Sequence, residues 1–270
     1  MEFIYSRAHL VLDLLQELEI EFRNKSFGII PIKQRGGSTI LKALQQNISP
    51  IMDKTELINF DYNNNGFDVE LNSETGPLQA RSKYLVLATG GYSGQFENTD
   101  NSKYKSYNIF DIVRKNGGSI INTDCIFSHP FGYSGGKKVL IGGESQLGEF
   151  EDDNGDYVFN EKTRKLIKDD DYHEIFDQLL KQAENCRKKG LSVYFIGPER
   201  KELIVPSVHY TSGGIKTDHL GNVIGHENLF AIGECQANGS RKNGRFPGYP
   251  FTAAIVCAKV LGEYFSKNFK

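Results

Sequence analysis

The sequence predicts an α/β protein with a parallel sheet and a smaller α+β insertion, and two strand-to-loop junctions carry that prediction. Leu229-Phe230-Ala231-Ile232 is a short apolar run that stops at Gly233-Glu234, and a glycine-rich loop then leads into a helical pattern from Phe251 to Phe265. Tyr84-Leu85-Val86-Leu87-Ala88 is a second continuous apolar run, the pattern of a parallel strand buried on both faces, and it ends at Thr89-Gly90-Gly91. Open α/β sheets bind ligands beyond the carboxyl ends of their strands. Glu234 is placed to accept hydrogen bonds from sugar or polyol hydroxyls, while glycines let backbone N–H groups approach a flat or anionic group. Either junction alone reads equally as an ordinary turn; their similar placement favours a cofactor.

The other elements follow in chain order. Ser6 is expected to cap a helix with Leu10, Leu14, Leu15 and Leu18 on one face, after which Glu17, Glu19 and Glu21 carry the chain into solvent. A second helix is expected from Ser38 to about Gln46. Leu57 to Phe60 and Phe67 to Leu71 alternate around Asn63-Asn64-Asn65-Gly66, the chemistry of a hairpin. A short helix is expected from Asn108 to Lys115, followed by strands at Ser119–Asn122 and Cys125–Ser128. Residues Glu149 to Asp171 are the most polar stretch, with clustered acids; they lack the spacing of a calcium loop and read as solvated surface with a turn at Asn154-Gly155. Tyr172 to Lys189 reads as a helix through Ile175, Leu179, Leu180 and Ala183, and Ser192 to Ile196 as a strand.

Composition narrows the function. With 270 residues, 39% hydrophobic and 24% charged, the chain can bury a sizeable core and is neither disordered nor a membrane protein by composition. A net charge of -2, with basic clusters only at Arg187-Lys188-Lys189 and Arg241-Lys242, argues against nucleic acid, which needs a clustered cationic excess. The four cysteines, Cys125, Cys186, Cys235 and Cys257, fall singly, so no zinc or iron–sulfur site is expected. Charges interrupt the amino-terminal apolar residues and no run of about 18 apolar residues occurs, so neither a signal peptide nor a transmembrane segment is expected; the reading is cytoplasmic.

Several segments together resemble a known family. Val205 to Val223, VPSVHYTSGGIKTDHLGNV, then NLFAIGE, then the loop carrying Arg245, look like the carboxyl-terminal flavin segment of the succinate dehydrogenase, fumarate reductase and L-aspartate oxidase flavoproteins, and KYLVLATGGYSG adds a matching strand. The resemblance covers roughly Val11 to Tyr264. It implies a Rossmann-like parallel-sheet FAD-binding region in two parts, residues 1–123 and 207–270, with a reduced capping domain inserted at 124–206. It also implies FAD, lined by Thr89, Gly90, Gly91, Gly233 and Glu234, and a small carboxylate substrate such as succinate, fumarate or L-aspartate, held by His129, His209 and Arg245. The chemistry expected is hydride exchange with the flavin at a bond next to a carboxylate, where Arg suits the carboxylate because its planar fork donates two parallel hydrogen bonds.

The departures from the family pattern matter equally. No segment of this chain carries the family's Gly-x-Gly-x-x-Gly unit for the ADP half of FAD, so a second polypeptide, or a split portion of the same protein, is expected to supply it. The helix that brings the family's proton-transferring arginine has no match; Pro198-Glu199-Arg200 stands in the wrong place, and the proton donor or acceptor is unassigned. These two departures keep open a reading from another class, a non-catalytic subunit that retains the flavoprotein fold.

Overall fold

The computed structural model of the protein describes residues 2–25, 28–31, 36–48, 51–63, 66–102, 108–135, 139, 143–169, 175–238 and 248–268. The chain opens with two short helices, α1 (Glu2–Tyr5) and α2 (His9–Glu17). Ser6 lies between them rather than at a helix start: its hydroxyl donates back to the Phe3 carbonyl, and the residue preceding α2 is Ala8, without a side-chain cap. Of the expected apolar face, Leu15 is buried and, with Leu18, joins Ile20 and Ile40 of α3 (Gly36–Gln46) in one cluster, while Leu10 and Leu14 are half-buried. Strands β1 (Phe22–Lys25) and β2 (Gly28–Pro31) pair antiparallel between the two. Helix α3 begins two residues before the expected Ser38.

The predicted hairpin forms as β3 (Glu56–Asn63) and β4 (Gly66–Ser73), in a register that sets Asn63 opposite Gly66. A third antiparallel strand, β5 (Gly76–Ser82), extends it; its largely exposed GPLQARS has no apolar alternation to announce it. Phe60 and Phe67 pack edge to face within this sheet and are fully buried. They belong to the larger core with Leu87, Phe110, Val113, Leu229 and Ala231.

Strand β6 (Leu85–Leu87) follows, then α4 (Asn108–Lys115), β7 (Ile120–Ile121) and β8 (Ile126–Tyr133). β6 departs from the expectation of burial on both faces, because Leu87 is buried while Val86 is 38% exposed. α4 turns Ile109, Phe110, Ile112 and Val113 into the core, as its spacing requires. β8 runs past the expected Ser128 and carries Pro130 within it, which is tolerated because β8 is an edge strand of its sheet.

The acidic stretch is ordered rather than merely solvated. After the short α5 (Gly143–Gln146) come β9 (Glu149–Asp152) and α6 (Glu161–Lys168). Phe150 is buried on β9, and the Asp152 carboxylate accepts from the N–H groups of Asn154 and Asp156, closing the predicted turn. α7 (Phe176–Lys188), β10 (Val193–Gly197) and the long β11 (Arg200–Thr211) complete a four-stranded antiparallel sheet in the order β8-β11-β10-β9. Phe131, Phe150, Phe159, Leu179, Phe195 and Ile204 form its own core.

The chain then returns to the first core through β12 (Gly214–Ile215), paired with β7, and β13 (Leu229–Ala231), paired with β6. The β6–β13 pair is parallel, and it is the only parallel strand pair among the described residues. Helix α8 (Tyr249–Asn268) closes the fold, with Tyr249, Ala253 and Val256 packed on Ile4. No helix among the described residues is long and apolar enough to cross a membrane.

Candidate functional site

Parallel pairing of β6 with β13 sets Leu85, Val86 and Leu87 opposite Leu229, Phe230 and Ala231, so the two strands end side by side. The Ile232 N–H donates to the Leu87 carbonyl at 2.9 Å, and the Cys235 thiol donates to the same carbonyl at 3.1 Å. Burial pushes that thiol up to about 11, which makes Cys235 a packing residue rather than a nucleophile. Beyond the tips lie Thr89-Gly90-Gly91 on one strand and Gly233-Glu234 on the other, adjacent as the two junctions require.

The glycines at these tips serve different ends. Gly90 (φ +78°) and Gly233 (φ +71°) adopt left-handed backbone, and a Cβ built on Gly90 would meet nothing within 4 Å. A flat group can therefore reach the Gly90 backbone. Gly91 is explained by internal packing: a Cβ there would stand 2.3 Å from both a Glu234 carboxylate oxygen and the Thr211 hydroxyl. The Glu234 Oε1 accepts from the Thr211 N–H at 3.0 Å and from the Thr211 hydroxyl at 3.2 Å, and the Tyr92 N–H donates to that hydroxyl at 3.3 Å. Thr211, at the end of β11, thus ties the two junctions together, a role no sequence pattern announced.

The two histidines come together on the β8–β11 pair. His129 is cross-strand from Ser207, and its ring centroid lies 5.9 Å from that of His209 at an interplanar angle of 62°. His129 is 4% exposed, and its Nδ1 accepts from the Phe131 N–H at 3.2 Å. His209 Nδ1 meets the Asp100 carboxylate at 2.6 Å. Asp100 arrives on the loop that leaves Gly91 and runs back along β11: the Thr99 hydroxyl donates to the Val208 carbonyl, the Val208 N–H to the Asn98 carbonyl, and the Asn101 side chain to the His209 carbonyl. Arg245 lies outside the described residues. The structure therefore sets Thr89, Gly90, Gly91, Gly233 and Glu234 at the ends of β6 and β13, ties them to Thr211 at the end of β11, and brings His129 and His209 together on the β8–β11 pair with Asp100 and Asn101 beside His209.

A family model described as FAD binding domain matches residues 150–249. The chain is similar to L-aspartate oxidase of Halalkalibacterium halodurans, 22% identical over 100% of this chain and 59% of the relative. It is also similar to the succinate dehydrogenase flavoprotein subunit of Bacillus subtilis, 29% identical over 57% of this chain and 32% of the relative. Among solved structures, E. coli quinol fumarate reductase superimposes with a TM-score of 0.77 at 15% identity, covering 98% of this chain and 56% of that one. The likeness to that structure is one of fold, a mixed α/β architecture. The chain spans 59% and 32% of the lengths of these two curated relatives.

Proposed function

This chain belongs to the FAD-binding flavoprotein family of succinate dehydrogenase, fumarate reductase and L-aspartate oxidase, and from that premise we propose that it forms part of an FAD-dependent oxidoreductase acting on a small carboxylate. The observation that carries the reading is the parallel β6–β13 pair, whose adjacent ends hold Thr89-Gly90-Gly91 and Gly233-Glu234 within reach of one flat group. Gly90 and Gly233 offer it their backbone, and Glu234 is fixed beside it by Thr211. FAD, when bound, supplies a two-electron partner that exchanges hydride with carbon. His129, His209 and Arg245 hold the substrate carboxylates, and residues 124–206, with their separate core, cover the site and exclude water.

The ADP half of FAD needs a further unit, and the free edge of β6 supports a place for it. Leu85 N–H and Leu87 C=O are spent on the β13 side, so by alternation the backbone groups of Val86 face the other edge, where its side chain is 38% exposed. No described strand pairs there. A second polypeptide contributing a glycine-rich dinucleotide turn adds its strand to that edge. The competing reading, a non-catalytic subunit, draws on the inward turn of Glu234 Oε1, which is already committed to Thr211.

Flavin absorbance separates the two. The protein co-purified with its dinucleotide-binding partner is expected to be yellow and to bleach on adding succinate or L-aspartate. Bound flavin that neither compound bleaches contradicts the carboxylate assignment, and a stable FAD-loaded monomer of this chain alone contradicts the second polypeptide.

A further inference from the structure

We propose that Asp100 is the positioning residue of the site: it holds the ring proton of neutral His209 on Nδ1 and so makes Nε2 the atom that takes up or gives a proton at the substrate. This rests on the reading of His209 as a substrate-facing group, but gives it proton transfer in place of a carboxylate grip, which falls to His129 and Arg245, and it supplies what that reading lacks, since the family's proton-transferring arginine has no match here.

Three observations support it. The Asp100 Oδ2 to His209 Nδ1 distance is 2.6 Å, and the two side chains are only 15% and 29% exposed, so the pair is partly shielded from water. The carboxylate is not a free rotamer on a loose loop, because hydrogen bonds from Thr99, Val208 and Asn101 clamp residues 98–101 to the backbone of Val208 and His209. Finally, a carboxylate can only accept, so His209 Nδ1 must be the donor, and Nε2 has no hydrogen-bond partner among the described residues. His129 is set the opposite way. Its Nδ1 accepts from the Phe131 N–H, so its ring proton in the neutral form is on Nε2. Two histidines 5.9 Å apart thus carry opposite tautomers, one fixed as a donor and one left with a lone pair.

In the oxidation direction FAD, when bound, would take the hydride, which leaves one proton of the substrate for this chain's own residues to remove. That proton goes to His209 Nε2, giving an imidazolium stabilised by Asp100. Reduction runs the same transfer backwards.

The test is 15N NMR of the imidazole nitrogens of the full chain, with His209 assigned by its His209→Gln variant, in wild type and in Asp100→Asn. The wild type is expected to show the Nδ1–H form of neutral His209, and Asp100→Asn to move it to Nε2–H. A wild-type His209 already protonated on Nε2, or a tautomer that ignores Asp100→Asn, overturns the proposal without any need for turnover. In the flavin-loaded protein the same variant is expected to lower kcat by about 100-fold or more with KM within about threefold, the signature of a lost proton-transfer partner. A raised KM with kcat retained overturns the proton-transfer role. The expected tautomers in a protein that turns over no carboxylate uphold the positioning of His209 and instead contradict the redox reading above.

Discussion

Gly91 is the residue where packing and site geometry meet. A Cβ there would press on Glu234 and Thr211 at 2.3 Å, so Gly91→Ala is expected to destabilise the fold by about 1–3 kcal/mol, as overpacking does. Gly90→Ala meets no neighbour and carries only the left-handed backbone penalty of about 1–2 kcal/mol, without the clash. Thermal denaturation of the two variants checks this ordering; equal losses would mean that Glu234 does not lie where the structure has it. Two tyrosines set a second expectation. Burial, the largest cause in each case, pushes Tyr92 and Tyr249 up to about 12 from 10. Between pH 10 and 12 the unfolded chain has lost protons that the folded protein keeps, so stability is full below pH 10 and falls as pH rises through that window. Urea midpoints at pH 9 and 11.5 should differ, and Tyr92→Phe should shrink the difference; an unchanged difference would remove Tyr92 from the account.

Single elements show how much of the molecule was legible in the sequence. The hairpin β3–β4, helix α4 and the apolar run of β13 were readable because their spacing or turn residues state the local structure outright. β5 was missed because an exposed edge strand has no alternation to read, and β9 because its acids hide the one residue that anchors it, Phe150. At the site the strand ends were legible, whereas Thr211, Asp100 and Asn101 were not: Asp100 and His209 are 109 positions apart, and only the return of residues 98–101 along β11 joins them. β6 allows a prediction of its own. Because the Val86 N–H faces away from β13, Val86→Pro should leave the chain folded with a melting temperature close to wild type, yet block pairing on the free edge. Co-purification with a dinucleotide-binding partner reads the second half, and a variant that unfolds would show that the N–H is used within the chain.

Among the described residues the two larger cores meet along β8, whose Ile126 packs on one while Phe131 and Tyr133 belong to the other, and the histidine pair sits on β8 and its partner β11. On the proposed reading, the flat group rests against the first core and residues 124–206 cover it. The central claim is that the adjacent ends of β6 and β13 receive an isoalloxazine ring. Backbone amide NMR of the full chain titrated with lumiflavin, which has no ADP half and so needs no second unit, tests it most directly. The account predicts the largest shifts at the amides of Gly90, Gly91 and Gly233; shifts confined to other surfaces, or none at these three, would contradict it.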